Sequence, residues 1–318
     1  MSSISPAVQK ALIKLEASLD AGHSYEGHEL FKTVFYRLRS RRQTVDSYVL
    51  AEAGAELQLR KGQLNCGVEL ACMLLDAYTT DSAPATDESV DRVLRVLRAF
   101  PSEQINEKDE EEEEEPPIDQ CSKVASATVK WLKKVSGLAY APQIYGSVAS
   151  YITRCLGWMG LGLAMPHYAR SNDCQSFASA VAAAAGQGYP GEEDLFIARA
   201  TLHTASTPPS PSFPGTPAIN SLKRARDFLS TYPIAAGHAV PSTPLVHFLD
   251  LYLEALEKQS SPLVDVLLEK YKLTLDRDPS LWDLIEKSRS MYAPAPRAPM
   301  PGMFGDLFRS MMMPGLGS

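Results

Sequence analysis

The residues able to do chemistry are present but scattered. His28 and Glu29 open like the helical H-E-x-x-H of a zinc peptidase, where two histidines one turn apart hold the metal and the glutamate activates water. The second histidine would have to fall where the chain has Lys32 and Thr33, so the motif is broken and the pair is assigned to a helix surface. The six histidines, His23, His28, His167, His203, His238 and His247, put no two on one helix at ligand spacing. The five cysteines, Cys66, Cys72, Cys121, Cys155 and Cys174, form no C-x-x-C pair and are odd in number. That pattern fits small apolar side chains in a reducing compartment, without disulfides or a metal. Gly157, Gly160 and Gly162 approach the spacing of a nucleotide loop, but no strand precedes them, and close helix packing accounts for them better. There is no G-x-S-x-G elbow and no phosphate loop ending in G-K-[ST]. The expectation is a protein that catalyses nothing and carries no metal or cofactor.

What remains are surfaces. Lys10, Lys14, Lys32, Arg37, Arg39, Arg41 and Arg42 make a basic strip near the start of the chain, either a solvated helical face or a guide for an acidic partner. The formal charge of -7 comes mostly from Glu110 to Glu115 with Glu107 and Asp109. An acidic balance argues against wholesale nucleic-acid binding. The run itself is too charged to bury and reads as a solvated loop or a lure for a basic partner. Thr207 to Pro217 carries five prolines and reads as a spacer or a proline-recognition ligand. Met300 to Leu316 alternates methionine, phenylalanine and glycine, and such a tail packs back on the body or docks a partner.

The elements that must position these surfaces are helices. At 45% hydrophobic and 22% charged, the chain is an ordinary globular mixture. From Pro6 to Tyr78 apolar residues recur at threes and fours in four stretches, broken at Gly22-His23, Ser40 to Gln43 and Lys61-Gly62. Breaks that short fold successive helices back antiparallel. Gly22 and Gly62 sit at the same point of successive hairpins, about 40 residues apart, within the usual period of two-helix repeats. Further helical periods run over 87–99, 123–135, 143–156, 157–169, 173–185, 192–204, 220–231, 243–256, 263–275 and 281–291. The fold class is all-α, an α-solenoid of stacked antiparallel hairpins. For Ile234 to Val240, with Gly237 between β-branched ends, a small β-hairpin or loop stays open. No basic start followed by an apolar stretch marks a secretory signal, and no window reaches the roughly 20 apolar residues of a membrane span. A cytosolic chain without direct membrane insertion is expected.

The residues from Gly22 to Tyr78 resemble the Golgi-to-ER traffic protein 4 family, the helical scaffold of the pathway that targets tail-anchored membrane proteins. The likeness rests on Gly22, Tyr25, Glu26, His28 and Thr33, then Gly54-Ala55, Gly62-Gln63, Gly67, Leu70, Leu74-Leu75 and Tyr78. It recurs from Glu192 to Leu202, from Pro244 and from Tyr271, and covers nearly the whole chain. Departures are the glutamate and proline loops and Gly27, where the family usually has alanine and glycine weakens a helix.

The resemblance implies a scaffold that bridges the pathway's targeting ATPase and a ubiquitin-like adaptor, bringing chaperone-borne clients to the ATPase by raising local concentration. Residues 1–105 would be the ATPase-binding repeats, 106–120 an acidic loop, 121–205 middle repeats, 206–218 a proline-rich loop, 219–292 the adaptor-binding repeats and 293–318 the tail. For the ATPase the expected contacts are Lys10, Lys14, Tyr25, Arg37, Arg41, Glu69 and Asp76. For the adaptor they are Val246, Leu249, Leu253 and Tyr271, since apolar cores make such contacts stable. Whether a chaperone subunit joins is left open. The competing reading is a helical-repeat subunit of another assembly, such as a proteasome lid, signalosome or vesicle coat.

Overall fold

The computed structural model describes residues 5–101, 116–209 and 220–294, and every regular element among them is helical. Four helices open the chain: α1 (Pro6–Asp20), α2 (Ser24–Ser40), α3 (Thr44–Arg60) and α4 (Leu64–Asp81). Their three connections are copies of one turn. Gly22, Arg42 and Gly62 each take a left-handed φ of 77°, 59° and 77°. The next amide then reaches back five residues, His23 to Ser18 at 2.9 Å, Gln43 to Leu38 at 3.0 Å and Gln63 to Gln58 at 2.9 Å. This is the Schellman closure, which satisfies the last carbonyls of one helix while the chain reverses. The turn recurs every 20 residues, so the hairpin period anticipated from Gly22 and Gly62 is structural.

The stack continues through α5 (Asp87–Arg98), α6 (Pro117–Lys134), α7 (Ala141–Leu156), α8 (Leu161–Tyr168), α9 (Cys174–Ala185) and α10 (Glu193–Ala205). It closes with α11 (Ser221–Ala236), α12 (Pro244–Glu257), α13 (Ser261–Lys270), the single turn α14 (Lys272–Leu275) and α15 (Ser280–Tyr292). Most contacts run between helices near one another in the chain, α1 on α2 and α3, α3 on α4 and α5, α4 on α6, α5 and α6 on α7, and α10 on α11 and α12, while α15 folds back on α10. A core that passes from repeat to repeat in this way is that of a solenoid.

Aromatic side chains mark the seams. Tyr78 and Trp131 pack with ring centroids 4.8 Å apart, and the Trp131 indole N–H donates to the Ala83 carbonyl at 2.9 Å, tying α6 to the end of α4. Phe177 and Phe228 join α9 to α11 at 4.9 Å. Glycines set the closest approaches. A Cβ on Gly54 would lie 2.4 Å from the Phe31 ring, and one on Gly67 2.6 Å from Leu59. Gly27 has the same use, since a Cβ there would meet Ser18 at 2.8 Å; the helix propensity it gives up is exchanged for a closer contact between α1 and α2.

Several expectations change. No hairpin forms at Ile234 to Val240: α11 runs through Pro233 to Ala236 and ends at Gly237, whose φ of 75° caps it. Pro233 lacks the amide that would bond the Leu229 carbonyl, a local cost that α11 bears one turn before its end. Residues 117–120, expected in the acidic loop, are the first turn of α6, begun by Pro117 at a position where proline is at home. The period over 157–169 divides into a 3-10 turn at Gly157–Gly160 and α8. The glutamate run 107–115, residues 210–219 of the proline-rich loop and the tail from 295 lie outside the described residues.

Candidate interaction surfaces

Because α1 and α2 are antiparallel, Lys10 in the first half of α1 falls toward the same end of the hairpin as Arg37 and Arg41 at the end of α2, and Lys14 follows one turn on, at the middle of α1. All four are exposed, as is Arg42, and no carboxylate among the described residues pairs with them. The other two cations of the expected strip are engaged. Lys32 Nζ donates to Glu29 at 3.0 Å and to Glu69 at 2.7 Å. Arg39 grips Asp81 with two N–H groups, one at 2.7 Å, and the Tyr48 hydroxyl donates to the same carboxylate. These pairs stitch α2 and α3 to α4.

His28 is the clearest correction. Expected at the surface, it is 1% exposed, with Nε2 2.9 Å from Glu69 Oε2 and Nδ1 3.3 Å from the Gln58 amide nitrogen. The Gln58 N–H donates to Nδ1, which leaves the proton on Nε2 to be donated to Glu69. The signal was its phase, because 28, 31, 35 and 38 share one face with Phe31, Phe35 and Leu38. Glu69, one of the expected ATPase contacts, is thus engaged within the chain. The Lys32 hydrogen bond, with His28 adding to it, keeps its carboxyl below the ordinary carboxylate range. Asp76 is exposed and lines a groove of about 210 Å³ between α2 and α4 with Phe35, Tyr36 and Met73. Tyr25 is 71% exposed, and Tyr36, which the sequence did not single out, is 59% exposed.

At the other end three of the four expected adaptor contacts are buried. Leu249 and Leu253 have no exposed surface; they are the core of α12, and a partner could reach them only by unfolding it. Tyr271 is also buried, its hydroxyl 2.7 Å from His247 Nδ1. Val246 alone of the four reaches the surface, half-buried in a groove of about 380 Å³ with Leu229 and Val240. Apolar side chains that face outward include Ile234 at the end of α11, Leu263 and Val266 on α13 and, 87% exposed, Leu273 on α14. Those on α13 were readable in principle: that helix turns Val264 and Leu267 inward, so Leu263 and Val266 make it apolar nearly all round.

Among the described residues no group of three or more His, Cys, Asp or Glu side chains is placed to hold a metal ion. All five cysteines are free thiols, and burial pushes the Cys121 thiol up to about 12. No helix of the described residues is long and apolar enough to cross a membrane.

A stack of short paired helices with free cations at one end and an outward apolar face at the other is a helical-repeat protein of the α-solenoid class. The Golgi to ER traffic protein 4 profile matches residues 41–312, and the chain belongs to that family. It is 26% identical to Protein GET4 of Arabidopsis thaliana over 325 residues, covering 96% of this chain and 97% of that one. The human Golgi to ER traffic protein 4 homolog is 22% identical over 312 residues, with 96% and 87% covered. The crystal structure of C. therm. Get4 superposes with a TM-score of 0.71 at 19% identity, over 97% of this chain and 96% of that one, and so has the same fold.

Proposed function

We propose that the chain is a non-catalytic cytosolic scaffold that bridges a targeting ATPase and a ubiquitin-like adaptor for delivery of tail-anchored proteins to the endoplasmic reticulum membrane. The observation that carries this reading is the separation of two unlike surfaces on a member of this family. Unpaired cations sit on α1 and α2, and outward apolar side chains sit on α13 and α14, at opposite ends of the stack. Held apart by a rigid body, the two partners are brought together without competing for one site, and the gain is one of effective concentration.

In this reading residues 1–105 meet the ATPase through Lys10, Lys14, Tyr25, Arg37, Arg41 and Asp76, with Tyr36 added and Glu69 acting through Lys32 and His28. Exposed arginines and lysines raise the rate of encounter with an acidic partner and make binding salt-dependent. Residues 219–292 meet the adaptor through Val246 and the Leu263, Val266 and Leu273 face, while Leu249, Leu253 and Tyr271 hold that face in place from within. The test is affinity purification of the tagged chain from its native cytosol, with mass spectrometry of what is retained. Recovery of both partners, with loss of the ATPase alone from Arg37→Glu/Arg41→Glu and of the adaptor alone from Val266→Asp/Leu273→Asp, is expected. A coat, lid or signalosome assembly without either partner would overturn the reading.

A further inference from the structure

Between the end of α5 and the length of α7 lies a groove of about 550 Å³ that neither end surface includes. Its floor is apolar, with Leu97 and the buried ring of Tyr151, and its rim carries Gln143 and Ser147. Two arginines complete it. Arg98 ends α5 and Arg154 lies in the last turn of α7; both are exposed and line the groove. The Arg154 guanidinium, though exposed, sits 5.6 Å from the Tyr151 ring centroid, close enough to favour its place beside the groove floor.

Among the described residues no ion pair compensates the charge of these two groups. Arg92, Arg95, Arg199, Arg226 and Arg277 each hold a carboxylate, whereas no carboxylate among the described residues pairs with Arg98 or Arg154. One acid, Asp173, also lines the groove; its Oδ1 accepts from the Ser176 amide at 3.0 Å and caps α9, so two cations stand against one carboxylate. The groove therefore presents positive charge, amide and hydroxyl hydrogen-bonding groups and an apolar floor together. From Gln143 to Arg154 the α7 wall is about 16 Å long at about 1.5 Å per residue. That matches roughly five residues of extended peptide at about 3.3 Å each.

We propose that this groove docks an acidic peptide segment of a partner protein in extended form. Its carboxylates meet Arg98 and Arg154, its backbone bonds to Gln143 and Ser147, and a small apolar side chain rests on Leu97 and Tyr151. Planar guanidinium groups suit carboxylates in bidentate geometry, and the partner is recognised by charge and extension more than by shape. The site is a third docking position in the middle of the stack and stands independently of the bridging reading.

The experiment uses the full chain and a short fluorescein-labelled peptide that alternates aspartate and glutamate with alanine and leucine, followed by fluorescence anisotropy. A control peptide carries asparagine and glutamine in place of the acids. Saturable, salt-sensitive binding of the acidic peptide is expected, absent for the amide peptide and weakened about tenfold in Arg98→Glu/Arg154→Glu. Arg98→Gln/Arg154→Gln serves if the reversal variant misfolds, with a smaller loss of about threefold. Three results would each overturn the proposal. One is no binding up to about 1 mM, another is equal binding by the variants, and the third is binding that emerges only when residues 107–115 are replaced by a glycine-serine linker. The last result would assign the groove to the chain's own glutamate run.

Discussion

Single side chains decide what these surfaces can do. The α2–α4 seam depends on two carboxylates held below their ordinary range, Glu69 chiefly by the Lys32 hydrogen bond and Asp81 chiefly by Arg39. A carboxyl whose folded pKa is depressed adds stability that is fully present above its unfolded value, about 4. That stability is lost as pH falls through the lower folded value. The wild-type chain is therefore expected to lose more stability between neutral pH and the acid range than Glu69→Gln/Asp81→Asn. Both groups are partly exposed, so the difference should be about 1 kcal/mol or less, read from urea midpoints at the two pH values. Parallel pH profiles would show that these pairs contribute no linkage. Arg224 is the opposite case. It is 2% exposed, Nη1 donates to the Arg170 carbonyl at 3.3 Å, and Nε and Nη2 have no partner among the described residues. Burial lowers its pKa, the sign of a charge kept at a cost. Arg224→Met is expected to leave stability unchanged or raise it by up to about 2 kcal/mol. A clear loss in chemical unfolding would mean that the Arg170 bond outweighs the burial of the charge.

At the scale of elements, one turn is used three times and is occupied once by a residue ill suited to it. Arg42 takes the left-handed conformation that Gly22 and Gly62 adopt without steric cost. Arg42→Gly should raise stability by about 0.5–1 kcal/mol in thermal unfolding; an unchanged midpoint would show that the Arg42 side chain repays its own strain. In the other direction, Gly54→Ala drives a methyl into the Phe31 ring and should cost about 1–3 kcal/mol. The four opening helices and their breaks were legible because apolar period, short turns and two glycines agreed. The extent of α11 was not, since Pro233 and Ile234 argue locally against a helix that packing with α9 and α10 sustains. The inward face of α12 was legible. Leu245, Phe248, Leu249, Tyr252, Leu253 and Leu256 recur at threes and fours on one face and are all buried, a stripe that marks the core; the expectation of Leu249 and Leu253 as contacts set that signal aside. The basic strip was legible as a strip, but its division into free and paired cations was not. Lys32 has one acid within local reach, Glu29, but its second, Glu69, and the Asp81 that holds Arg39 lie 37 and 42 residues further on, a distance local reading does not cross.

Across the whole molecule, contacts between neighbouring helices imply that stability is shared locally and passed along the stack. The seam between the second hairpin and α5 shows how that sharing is built. Glu52, 6% exposed, accepts from Arg92 Nη1 at 2.9 Å and from Arg95 Nε at 2.6 Å, and Arg92 also reaches Glu88 at 2.6 Å. Removing the carboxylate in Glu52→Ala leaves Arg92 buried with Glu88 as its remaining acid. The loss should be about 2–3 kcal/mol, less than for a fully orphaned buried charge. In a solenoid this loss belongs to the seam and the short N-terminal stack beyond it, where four helices have few other neighbours. Hydrogen exchange should therefore accelerate through α1 to α4 in the variant while the amides of α9 to α15 keep their protection. Equal acceleration across all helices would mean that the chain unfolds as one cooperative unit. A chain of that kind could not yield at α1 to α4 while α9 to α15 stayed folded.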